Sequence, residues 1–181
     1  MGALRATGRG VAGDVIAGAV ATVTMDVAMV AACRVAPAVF ATDKVGLELI
    51  GRWAGGLARG QLRHDDVSAE TALRGEVVMG LAAHYLTGIV LTRAYVVALR
   101  RLRLRPTPAN AVAYGVATAV LPLLIMYPSM GYGCCGRLSG DARRLLALMF
   151  LGHIAFGAGI ALWRAVLIAR PPAPRVTTPA G

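Results

Sequence analysis

A chain of 181 residues with 57% hydrophobic content and a mean hydropathy of +0.63 is more apolar than a soluble domain, in which roughly half of the residues are apolar. The composition therefore points to a bilayer as the solvent. The formal charge of +10 would suit a nucleic-acid binder, but the densest basic run, LRRLRLRP at Leu99 to Pro106, lies between two apolar runs. There the positive-inside rule expects it and anionic lipid meets it, so nucleic acid is not the expected partner.

About 20 mostly apolar residues suffice to cross a hydrocarbon core of about 30 Å as a helix, and four runs of that kind occur. The first extends from about 11 to 36. Arg5 and Arg9 precede it and Ala36-Pro37-Ala38 resembles a small-residue cleavage site, as in a secretory signal. The run nevertheless exceeds the usual apolar region of about 7 to 15 residues and carries Asp26 well inside, so it reads as a span.

The connection 37 to 75 is too long for a turn. Val45, Leu49, Trp53 and Leu57 recur every four residues, which predicts an amphipathic helix over about 43 to 58. Thr42 or Asp43 would cap its start and Gly55-Gly56 would end or loosen it. With Trp53 on its apolar stripe, this helix is expected at the outer interface or over the mouth of the bundle. Arg63, His64, Asp65 and Asp66 then form a polar turn.

The second span covers about 76 to 99, the third about 109 to 130 with Pro122 inside it, and the fourth about 145 to 169. The proline-rich tail 171 to 181 reads as disordered and solvated. These elements predict an all-α, four-helix transmembrane bundle of up-and-down topology, one integral membrane domain over 1 to 170. An open sheet is excluded because backbone in lipid must satisfy itself. The basic loop after the second span is expected to set both termini on the cytoplasmic side. Lys44, Arg52, Arg59, Arg63 and Arg74 in the first loop pull the other way.

Three ionisable side chains lie deep within apolar runs: Asp26, His84 and His153. Such groups are costly in lipid and face the bundle interior, which makes each a functional candidate. Residues at i and i+4 share a helix face. Gly80 and Gly88 flank His84 in this way, Gly18 and Thr22 precede Asp26, and Met149 and Gly157 flank His153. Ala111, Gly115 and Ala119 make a similar stripe on the third span, and such small-residue stripes predict contact faces between helices. In an up-and-down bundle the three polar residues fall at one depth, about 12 to 15 Å below the outer surface. Pro122 comes near it too, where a missing amide bond bends the helix and frees a carbonyl.

A carboxylate with two imidazoles resembles a ligand set for zinc, manganese or iron, which makes Asp26, His84 and His153 a candidate divalent-metal site. Two histidines on different helices also suit the axial positions of a haem, with His84 and His153 as its ligands. Asp and His together suit a proton or small-cation relay. The plainest alternative is a polar lock that holds a structural or assembly subunit together at about 1 kcal/mol per bond. Glu76 lies about 12 Å along the helix from His84, too far to share a small ion, and belongs at the outer entrance or beside an arginine of the first loop. Arg93 and Arg164 are expected to snorkel.

Cys33, Cys134 and Cys135 lie near the outer span ends, where Cys33 has the option of a disulfide with one of the pair. Six methionines in the outer half, with the cysteines and histidines, would also suit copper. No G-x-S-x-G, H-E-x-x-H or phosphate loop is present, and the reading leans away from an enzyme.

The segments ATVTMDVA, GRWAGGLARGQLRH, RGEVVMGLAAHYLTGI, MYPSMGYG and GHIAFGAG follow one another between Gly18 and Ala161. As an ordered set they resemble the bacterial membrane proteins catalogued as domain of unknown function 2938. The resemblance implies a small polytopic membrane protein with Asp26, Trp53, Glu76, His84, Tyr85, Pro128 and His153 at signature positions, and it implies no activity. Cys134-Cys135, Tyr127 and SGDARR depart from the family pattern, which weakens copper or disulfide chemistry as a family-wide role and leaves the Asp/His/His set intact. The expected function is thus binding or transport of a small cation or protons, with haem binding and architecture as alternatives. The expected partners are the bilayer and either a second copy or another subunit.

Overall fold

The computed structural model describes residues 2–169, with side chains from 11 to 163 and at 165. The tail beyond, and the side chains of Arg5, Arg9 and Arg164, lie outside the described residues. The described chain is all-helical, in the order α1 (Gly2–Val35), α2 (Pro37–Phe40), α3 (Leu47–Ala58), α4 (Glu76–Leu102), α5 (Pro108–Thr118), α6 (Tyr127–Ser129) and α7 (Ala142–Ala169). A π-helical turn at Pro122–Met126 joins α5 to α6, and a 3-10 turn at Cys134–Gly136 precedes α7. Four stretches are long and apolar enough to cross a membrane: Val11–Val35, Glu76–Leu102, Pro108–Ser129 and Ala142–Trp163. The protein is a multi-pass membrane protein, and residues such as Val27, Val78, Leu86, Val90, Ile125 and Leu162 turn outward to lipid.

Local chemistry sets the span ends. Gly75 adopts a left-handed conformation just before α4, and Arg100 and Arg101 complement the dipole in its last turn. Pro108 opens α5 behind a reciprocal cap in which Thr107 and Asn110 bond each other's backbone amides. Further on, Pro122 has no amide hydrogen to offer the carbonyl of Thr118, and the helix widens so that the Tyr127 amide bonds the Pro122 carbonyl five residues back.

The spans pack in the spatial order α4, α1, α7, third span, while α4 and α5 touch only sparsely. Small residues set the close approaches, as their spacing predicts. Gly18 of α1 lies against Ile89 of α4, and Gly115 of α5 faces Gly157 of α7, with backbone where a Cβ would stand. Two apolar cores result. One joins Leu49, Val67, Leu123, Tyr127, Met130, Tyr132 and Leu145 at the α3 end, and the other joins Ala21, Tyr95, Leu99, Ala111, Phe156 and Ile160 at the opposite end.

The first loop is a built lid. Helix α3 begins at Leu47 behind Gly46, without a side-chain cap, rather than at Thr42 or Asp43. Gly55 and Gly56 do not end it either. Both are buried inside the helix, where Gly55 admits Leu73 and Met79 and Gly56 admits the His64 ring. Gly51 of α3 and Gly80 of α4 bring those two backbones into contact. The stretch after α3 then bonds the far end of the third span, with the His64 amide donating to the Ser129 carbonyl at 2.8 Å and the Val67 amide to the Met130 carbonyl at 3.0 Å. Gly131, at φ +90, passes directly under the Asp65 carbonyl, a place and a conformation that only glycine suits.

Candidate functional site

Under the lid, between α1, α4, the third span and α7, lies a cavity of about 720 Å³. Its wall is chiefly apolar and rich in sulfur: Met25, Met29, Met126, Met149 and Cys33 all line it. Trp53 closes it from above, where its indole N–H donates to Ser129 Oγ at 2.9 Å and Ser129 Oγ in turn donates to the Leu62 carbonyl at 2.6 Å. Arg34 and Thr42 stand at the rim.

The polar residues predicted to converge do so in two separate groups. On one side His84 Nε2 lies 2.8 Å from Asp26 Oδ1, and the Tyr85 hydroxyl donates to Asp26 Oδ2 at 3.0 Å. The carboxyl group is thus held by one partner on each oxygen and still keeps 38% of its side chain exposed. On the other side is His153, buried in α7. Its Nδ1 lies 3.2 Å from the Gly115 carbonyl and 2.9 Å from Thr118 Oγ1, which itself donates to that carbonyl at 2.6 Å. A carbonyl only accepts, so Nδ1 carries the proton and Nε2 is left as an acceptor, with no protein partner among the described residues.

All three lie on the cavity wall, but they do not form a preassembled metal cage. Among the described residues, no three His, Cys, Asp or Glu side chains are grouped to hold a metal ion. The reason is local: Thr118 and Gly115 hold the His153 ring from α5, while Nε2 of His84 is already engaged by Asp26.

Glu76 has a different part from an entrance. It does not line the cavity; it receives Arg52 of α3 in a two-pronged bond, Nε to Oε2 and Nη2 to Oε1, both 2.9 Å. The Leu73 amide adds a bond to Oε2 at 2.8 Å, and Arg52 Nη1 spans to the carbonyls of Val67 and Glu70. Four lid residues, Arg52, Val67, Glu70 and Leu73, are thereby tied to the first turn of α4. The carboxylate beside it holds the Arg52 guanidinium above its ordinary value, against the opposing effect of burial. Pro128 precedes Ser129 in α6 and does not line the cavity. Tyr85 supports Asp26 from beside the cavity.

Two further expectations are corrected. All three cysteines are free: Cys33 Sγ reaches the Phe40 carbonyl at 3.5 Å, while Cys134 and Cys135 lie beside each other on the turn before α7. Arg93 does not snorkel alone but pairs with Asp14 of α1. Sequence reasoning set Glu76 beside an arginine of the first loop but did not single out Arg52, and it missed Thr118. An arginine on the fourth-residue stripe's edge beside Trp53 gave a signal for the first; a threonine four residues before Pro122 gave one for the second.

The family model described as protein of unknown function DUF2938 matches residues 15–168. The chain belongs to that family. The match takes in the lid of this DUF2938 member, all the residues that line the cavity, and every span except the first four residues of the first. No curated protein and no solved structure matches the chain.

Proposed function

We propose that this membrane protein binds a small organic molecule inside the bilayer, with Asp26 and His84 as its polar anchor and His153 as a second acceptor across the cavity. The observation that carries the proposal is the cavity itself. Its volume of about 720 Å³ falls in the range of about 300 to 1,000 Å³ typical of small-molecule sites, and its character, mostly apolar with a few convergent polar groups, is also theirs. A bare ion would leave most of that space empty.

One observation favours a second reading. A carboxyl–imidazole pair at 2.8 Å is the arrangement a proton or cation step needs, so movement of the bound species coupled to a proton is the natural extension. Haem held by His84 and His153 is less well supported, because His84 would have to release Asp26 to present Nε2. The basic run after α4 supports an orientation with that end at the cytoplasmic leaflet and the lid outside.

A single preparation tests these readings. The protein is purified in mild detergent, its absorption spectrum and metal content are recorded, and small molecules released on denaturation are identified by mass spectrometry. An organic molecule near one per chain, lost in Asp26→Asn, is the expected result. A Soret band lost in His84→Ala, or a stoichiometric metal lost in Asp26→Asn, would replace the proposal with the haem or the ion reading.

A further inference from the structure

The cavity is not closed on all sides. Helices α4 and α5 meet through Tyr95 and Tyr114, whose ring centroids are 5.1 Å apart, with the Tyr114 hydroxyl donating to the Leu91 carbonyl and the Tyr95 hydroxyl to Asn110 Oδ1. All of these contacts lie toward the basic loop. From Leu91 toward the lid, the cavity is lined on one side by Ala83 and Thr87 of α4 and on the other by Leu121 and Ile125 of the third span. Thr87, Leu121 and Ile125 are also exposed, and Val30 and Arg34 of α1 are exposed lining residues at the lid end. Lining residues that are also exposed mark openings, and the first three place one opening between two membrane spans. Over the top, by contrast, the lid is bonded to α4 and to the third span by the Arg52–Glu76 pair and the backbone of His64 and Val67.

The chemistry at the inner end is one-sided. Asp26 offers the remaining lone pairs of a carboxyl group that already has a partner on each oxygen, and His153 offers Nε2. Both call for a hydrogen-bond donor. An anionic head would face the Asp26 carboxylate across an apolar wall, where like charges repel strongly. Arg34, the one basic residue lining the cavity among the described residues, stands at the rim, eight positions along α1 from Asp26.

Building on the cavity reading, we propose that the ligand is a single-chain amphiphile with a protonated amine head, which reaches the cavity sideways from the bilayer through the gap between α4 and the third span. Its tail would lie among the methionines, whose unbranched side chains adapt to irregular apolar shapes. Its head would donate to Asp26 and His153.

The full-length protein in phosphatidylcholine vesicles supplies the test, with three photoreactive probes: a long-chain alkylamine carrying a mid-chain diazirine, the matching alcohol and the matching carboxylate. A short-chain, water-soluble diazirine amine is the fourth. After irradiation, labelled positions are mapped by mass spectrometry and normalised to the lipid-facing Leu86 and Val90. The long-chain amine should label the cavity-lining Ala83, Thr87, Leu91, Thr118 and Met126 about tenfold more than the carboxylate, and Asp26→Asn should abolish most of that excess, the worth of one charge-assisted hydrogen bond. Thr87→Trp, which adds bulk at an exposed position of the gap, should cut long-chain labelling more than short-chain labelling. If the short-chain amine labels the cavity and the long-chain amine marks only Leu86 and Val90, sideways access is wrong and the cavity reading stands. If the carboxylate labels the cavity as well as the amine does, the head group is wrong. If no probe labels inward-facing residues, both readings fall.

Discussion

The lid end and the middle of the bundle are built on opposite plans. At the lid, a buried arginine and glutamate satisfy one another and three more backbone groups, and loop backbone bonds the end of the third span directly. In the middle, an aspartate keeps much of its side chain exposed to a cavity, one histidine nitrogen has no partner among the described residues, and two neighbouring spans barely touch. The Arg52–Glu76 pair in the first region is used up in holding the structure; Asp26 and His153 in the second retain bonding capacity. The difference separates residues that stabilise from residues that are free to act, although both sets are polar side chains in or near a membrane.

The contrast is sharpest where a lid residue is cut. Glu76→Ala leaves the Arg52 guanidinium buried without its counter-charge, and its cost should be about 3 to 5 kcal/mol. Thermal unfolding in detergent should show a large drop, and Arg52→Ala combined with Glu76→Ala should cost much less than the sum of the two. A double variant that costs the full sum would mean that the pair is not coupled. Next comes Gly51→Ala, whose Cβ would collide with the Glu76 carbonyl, so α3 must lift off α4 at a cost of about 1 to 3 kcal/mol. Faster proteolysis between Gly60 and Gly75 is the expected readout; an unchanged cleavage rate would show that α3 packs elsewhere.

Asp26→Asn should behave in the opposite sense. An interhelical hydrogen bond in a membrane is worth only about 0.6 to 2 kcal/mol, and asparagine retains part of it, so the melting temperature should change little while the bound molecule is lost. A large fall in stability without loss of the ligand would assign Asp26 to the stabilising set and dissolve the comparison. The smallest effect concerns the lid's outer edge. Burial pushes the Asp66 carboxyl up, but the hydroxyl and amide of Ser68, with Lys44 nearby, outweigh it and hold the group below the usual 3.8. A lowered folded value stabilises above the unfolded one and is lost as pH falls through the folded value. Proteolysis of the lid should therefore rise modestly below about pH 4, and Asp66→Asn should flatten that rise.

Much of the transmembrane part was legible in the sequence, because hydropathy and the four-residue repeat are local signals. They placed Gly18, Gly115 and Gly157 at contacts and Asp26 beside His84. The lid was legible only as an amphipathic stripe. Its bonds join Arg52 to Glu76 and His64 to Ser129, partners far apart in the chain, and no periodicity encodes which of the four loop arginines finds Glu76. For a similar reason the pairing of Arg93 with Asp14 was invisible: each lay on its own helix with no sign of the other. The division of Asp26, His84 and His153 into two groups depended on Thr118, a residue whose hydroxyl could have faced any neighbour.

The π-helical turn at Pro122–Met126 bears on how this chain can change. A π turn amounts to one residue added to an α-helix, and each residue advances an α-helix by about 100°. The surplus residue therefore sets the phase between two halves of one span: Gly115 and Thr118 address α7 and the cavity, and Ser129 and Met130 address the lid. Substitutions on either half can accumulate independently. A change in the number of residues at the joint would swing one half out of phase with the other, so chain length there is under tighter constraint than side-chain identity.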